Sequence, residues 1–151
     1  MPLWNQLRNQ TQSMQQTLNA KKNDFKSGAF RDATMAMCAL IAAADGSIDA
    51  AEQAKTSTLI RSNTVLSVFP PEELQQKFDW YCSKLAGDFE FGKVEAIATI
   101  GKLRSKPEQA RAVIQIGIII GGADGDFDAK ERSAVRDACN AVGISPADFD
   151  L

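Results

Sequence analysis

The chain has 151 residues, 44% of them hydrophobic and 24% charged, which is one domain's worth of buried core and excludes a disordered chain. Seventeen Lys and Arg against nineteen Asp and Glu leave a formal charge of −2, which excludes the broad basic surface of a nucleic-acid binder. Histidine is absent, and with it the commonest zinc ligand, the commonest general base and every Ser-His-Asp or Cys-His arrangement.

The pattern reads as helical almost throughout. Leu3, Leu7, Met14 and Leu18 recur at helical spacing opposite a Gln-, Asn- and Lys-rich face, so residues 1–23 are expected to form an amphipathic helix, peripheral to or packed on the body. The Gln and Asn of residues 5–16 do not read as a signal peptide. Residues 29–44, rich in Ala, Met, Leu and Ile without Gly or Pro, predict a buried helix. Asp45-Gly46 ends it, with Gly46 suited to a left-handed conformation, and Asp49 starts a helix to about Arg61. After a connector over residues 62–70, Pro71, Glu72 and Glu73 open a helix that runs to about Ala86. Further helices are expected from about Phe91 to Arg104, from Pro107 to Gly122 and from Asp128 to Val142, with a short terminal turn at Ser145-Pro146. The β-branched run 116–120 sits inside the Pro107 helix and reads as its buried part, although periodicity alone does not separate it from a short strand. The fold class expected is all-α, a single compact bundle of about seven helices.

The longest apolar runs, 35–44 and 112–123, fall short of the ~20 residues that a bilayer crossing needs, so no membrane span is expected. Cys38, Cys82 and Cys139 are far apart and form no CxxC, which fits reduced, mostly buried thiols of a cytoplasmic protein.

The most informative feature is a duplication. Residues 43–52 match residues 122–131, with Asp45, Gly46, Asp49 and Glu52 standing against Asp124, Gly125, Asp128 and Glu131, and with Ile48 against Phe127. Pro71-Glu72-Glu73-Leu74 echoes Pro146-Ala147-Asp148-Phe149. Two related helix–loop–helix units, at about 29–75 and 108–151, are therefore expected to pack together. Asp49 and Asp128 read as N-caps, and Glu52 and Glu131 as the third-position partners of a capping box. Caps leave Asp45 and Asp124 unexplained, because a carboxylate at a helix C-terminus opposes the helix dipole.

The same spacing equals the second half of an EF-hand loop. Its first half is missing: Ile41, Ala43, Ile120 and Gly122 stand where side-chain ligands belong. If the two loops meet, Asp45, Asp49, Glu52, Asp124, Asp126, Asp128 and Glu131 form one oxygen-rich region suited to Ca²⁺, Mg²⁺ or Mn²⁺. The competing reading is a set of caps with a solvated acidic face.

These repeats, with Gly92-Lys93-x-Glu95 between them and the stretches Asp124-Gly125-Asp126-Phe127-Asp128, Ser133-Ala134-Val135-Arg136 and Gly143-x-x-Pro146-Ala147-x-Phe149, resemble the bacterial TerB tellurite-resistance family from about residue 24 to 151. The resemblance implies a compact, internally duplicated all-α domain linked to resistance to tellurite and other stresses, without a defined enzymatic turnover. It implies action with other resistance proteins, integral membrane ones included, at the cytoplasmic face of the membrane, and a metal-linked role without an organic cofactor. By position it places Lys93 and Glu95 as supporting residues, Glu95 as an extra ligand oxygen or Lys93 as a counter-charge. Read from the residues alone, both are helix-surface charges.

The residues leave two other functions open. One is a purely structural interaction module without metal. The other is an enzyme acting on an oxyanion, against which stand the acidic loops and the lack of an activated thiol, Cys82 being the one plausible candidate. Trp4, Phe69 and Trp80 are either core or partner surface.

Overall fold

A computed structural model describes residues 3–123 and 127–151, and its side chains from Gln12 onward. Seven α-helices are present among the described residues: α1 (Leu3–Ala20), α2 (Gly28–Ala42), α3 (Ala50–Ser62), α4 (Pro71–Gly87), α5 (Phe89–Gly101), α6 (Pro107–Gly121) and α7 (Ala129–Val142). Short 3₁₀ turns lie at Lys22–Asp24, Leu66–Val68, Lys102–Ser105 and Pro146–Phe149, and no described residue is in a strand. The run 116–120 is helix, with Ile116, Ile118 and Ile120 buried.

α2 is the axis of the molecule. Ser27 caps it by accepting from the Phe30 amide at 3.1 Å, and from Phe30 to Ile41 almost every side chain is buried. Such an all-round apolar helix requires partners on every side, and α4, α5, α6 and α7 supply them. Its alanines Ala33, Ala36 and Ala39 are fully buried, and their small side chains let the neighbouring backbones come near.

The seam between α2 and α6 fixes the geometry of everything beyond it. A Cβ added at Gly117 would lie 2.6 Å from Met37 Cγ, and one added at Gly121 would lie 2.7 Å from Ile41 Cγ2. Residues 37 and 41 thus meet 117 and 121 in the same order, so the two helices run in the same direction and end at the same level. The chain therefore leaves both helices at that level, at Ala43 and at Gly122.

α1 is anchored by its C-terminal half. Leu18 is buried, Met14 packs on the core, and Lys21 pairs with Glu108 of α6 at 2.9 Å. The echo of Pro71 at Pro146 ends with the prolines: the first opens the 17-residue α4, the second a four-residue 3₁₀ turn. α5 begins two residues before Phe91, because Asp88 caps it by accepting from the Phe91 amide, and it ends at Gly101, where the chain tightens into the 3₁₀ turn.

Candidate functional site

The first acidic turn is shaped by its own backbone. Gly46 takes φ +94°, a conformation that a side chain resists. Asp45 Oδ1 accepts from the Ser47 amide at 3.1 Å, an Asx-type bond that gives this carboxylate a turn-forming task unrelated to the helix dipole. Asp49 Oδ1 accepts from the Glu52 amide at 2.7 Å and so caps α3. In the second turn Asp128 Oδ1 accepts from the Glu131 amide at 2.8 Å, while Glu131 Oε1 accepts from the Asp128 amide at 3.0 Å, a reciprocal capping box on α7. Phe127, just before that cap, is buried, and Ile48 packs on the core at the matching place.

The two turns open onto one cavity of about 150 Å³. Asp45 and Glu52 line it from the first turn and its helix, Asp128 and Glu131 from the second, and Cys38, Ile41 and Ile120 form apolar wall. Lys55 also lines it, one helical turn beyond Glu52. Four carboxylates around one ammonium leave a net negative mouth that attracts cations and repels anions. Oxygen donors of this kind suit hard divalent cations. Among the described residues, however, no group of three or more acid or thiol side chains is close enough to hold a metal ion.

Of the expected ligands, Asp45, Glu52, Asp128 and Glu131 reach the cavity, whereas Asp49 caps its helix and does not line it. Asp124 and Asp126 lie outside the described residues. Lys93 and Glu95 are elsewhere: Lys93 pairs with Asp137 of α7 at 2.9 Å, and Glu95 faces a second groove between α4 and α5. The residue missing from the expected set is Lys55, whose signal in the sequence was its i, i+3 spacing from Glu52 on a capped helix.

The thiols lie apart from this chemistry. All three cysteines are free and buried, and burial pushes Cys38 and Cys82 up to about 12 and Cys139 up to about 11. None carries the thiolate that a nucleophile or a soft-metal ligand needs near neutral pH. Of the aromatic candidates, Phe69 is core, Trp80 is 48% exposed, and the side chain of Trp4 is outside the described set. No described helix is long and apolar enough to cross a membrane.

Comparison with known proteins gives a family model, that of tellurite resistance protein TerB, matching residues 31–151. A relative from Alcaligenes sp., named tellurium resistance protein TerB, is 28% identical over 118 residues, covering 78% of this chain and 97% of the relative. No solved structure matches the chain. Because the family model runs from the first turns of α2 to the C-terminal residue and spans the cavity with both of its acidic turns, the chain belongs to the TerB tellurite-resistance family.

Proposed function

We propose that this protein is a non-enzymatic component of cellular resistance to tellurite and related stress, working in the cytoplasm with protein partners, and that it binds a divalent cation between its two acidic turns. The observation that carries the cation is the shared cavity, where carboxylates separated by about half the sequence line one space. Membership of the TerB family, and the name of the Alcaligenes relative, support the resistance role. Cytoplasmic partners at the membrane face, an integral membrane resistance protein among them, follow from the same family reading. In this reading Asp45, Glu52, Asp128 and Glu131 supply part of the ligand set, and Asp124 and Asp126 supply the remainder. With so few described ligands, the affinity belongs to the weak class of calcium modules, roughly 10⁻⁴–10⁻³ M.

Melting in EDTA against melting in Ca²⁺, Mg²⁺ or Mn²⁺ tests this directly. A cation with a dissociation constant of about 1 mM adds roughly 1.4 kcal/mol at about 10 mM, a rise in Tm of a few degrees. Asp45→Asn with Asp128→Asn keeps the Asx bond to Ser47 and the α7 cap, since an Asn side-chain oxygen accepts as Asp does, and abolishes the rise. Tellurite resistance of cells carrying that double variant falls with it.

Lys55 favours a second reading, a scaffold without metal whose acids are partly offset by a built-in ammonium. Flat melting curves in all three cations, with the Asn variants more stable than the parent, select the scaffold and remove the cation.

A further inference from the structure

A second concavity, of about 520 Å³, runs between α4 and α5 and shares no lining residue with the acidic cavity. Trp80 and Tyr81 wall it from α4, Glu95 and Thr99 from α5, and Lys77 and Lys102 also line it. Three features of this groove call for the same guest.

The first is an unmet carboxylate. Glu95 Oε2 is buried, and among the described residues no group donates to it. A buried acceptor, and above all a charged one, is costly when it is left without a donor, and neither lysine of the groove pairs with it. Lys77 instead reaches Asp32 at 3.7 Å.

The second is a prepared aromatic wall. Trp80 is 48% exposed and stands edge-on to Tyr81, ring centres 4.9 Å apart and planes at 89°. Lys84 already lies 5.1 Å above the indole, so this ring is used as a cation acceptor. Tyr81 is held in turn: its hydroxyl donates to Thr99 Oγ1 at 3.0 Å, and the Thr99 hydroxyl donates to the Glu95 carbonyl at 3.0 Å. The Tyr81 ring is thereby tied to the α5 backbone that carries Glu95, which lowers the ordering cost of binding on that wall.

The third is the pair of lysines, Lys77 and Lys102, which line the same groove and attract acidic groups that accompany a cation there. A planar guanidinium is the group that stacks on an indole while donating to a carboxylate, which a lysine ammonium does not do. An exposed Trp beside a carboxylate oxygen without a donor is also the chemistry of interface hot spots.

We propose that the α4–α5 groove docks an arginine side chain of a protein partner, with acidic residues flanking that arginine, the guanidinium donating to Glu95 and stacking on Trp80. This site is independent of any cation at the acidic turns, and its test does not depend on one.

The test uses the full chain with Trp4→Phe, so that emission reports Trp80 alone, and a blocked seven-residue peptide with one arginine between glutamates. The expected result is a saturable change in Trp80 emission, weakened tenfold or more when citrulline replaces the arginine and likewise by Glu95→Gln. Because Glu95→Gln replaces a carboxylate whose buried Oε2 has no donor among the described residues, its Tm should hold or rise. Lys102→Glu, a change at the groove's edge, should weaken the peptide several-fold with the melting curve unchanged, and it keeps the test alive if Glu95→Gln fails to fold. The proposal is overturned if no saturable change occurs up to millimolar peptide, if the citrulline peptide binds as well, if both groove variants bind as the parent does, or if free arginine binds as tightly as the peptide.

Discussion

At Gly92 the absent side chain matters more than any present one. A Cβ there would lie 2.8 Å from the Leu85 amide nitrogen and 2.8 Å from the Lys84 carbonyl carbon, both backbone atoms of α4. Backbone has no rotamer by which to yield, so Gly92→Ala pushes α5 off α4, at a cost of about 2–3 kcal/mol read as a lower urea midpoint. Because the same crossing forms the α4–α5 groove, arginine-peptide binding weakens in that variant too. In sequence Gly92 could be read as a packing glycine or as a helix start, and spacing did not decide between them. What decided is a contact across 7 residues and a turn, which one-dimensional pattern does not carry. Asp45 was illegible for the opposite reason: its bond to Ser47 is local, but it exists only once Gly46 has turned the chain.

At the scale of elements, most of the helix frame could be read in advance, because its signals are local and agree with one another. Pro71 and Pro107 open helices, Asp49 and Asp128 cap them, and Gly46 follows the end of α2. Boundaries moved where tertiary packing intervened, as at α5, which tightens into a 3₁₀ turn three residues before the expected end. The caps divide into separable tasks. Asp128→Ala removes the N-cap acceptor of a reciprocal box and costs about 1–2 kcal/mol by urea unfolding, whereas Asp128→Asn keeps the bond and costs only a few tenths. Asp49→Ala behaves in the same way at α3. A site role for Asp128 would appear instead as loss of the cation response in the Asn variant, so the two substitutions separate stability from binding.

For the whole molecule, the distribution of charge and of thiols sets how stability follows pH. Cys38, Cys82 and Cys139 all keep their protons well above the usual value of 9.0, chiefly because burial penalises the thiolate. Below pH 9 both folded and unfolded chains hold these protons, and the thiols do not affect the balance. Above it the unfolded chain releases them first, so stability falls progressively between about pH 9 and pH 12, by up to about 1.4 kcal/mol per pH unit for each thiol that stays protonated. Urea midpoints measured across that range should decline, and Cys38→Ala, whose own cavity cost is constant with pH, should flatten the decline. At neutral pH the same thiols should resist alkylation in native protein and react once it is unfolded.

The seam between α2 and α6 carries a last implication. The gap across which Asp45 and Glu52 regard Asp128 and Glu131 is set a helical turn or more away, where Gly117 and Gly121 give Met37 and Ile41 room to settle. A single methyl at either glycine would wedge the two cylinders apart and widen the jaws at their tips. If the proposed cation binds there, its preference for a small or a large ion would be tuned through positions that never touch it, while every acid stays where it is.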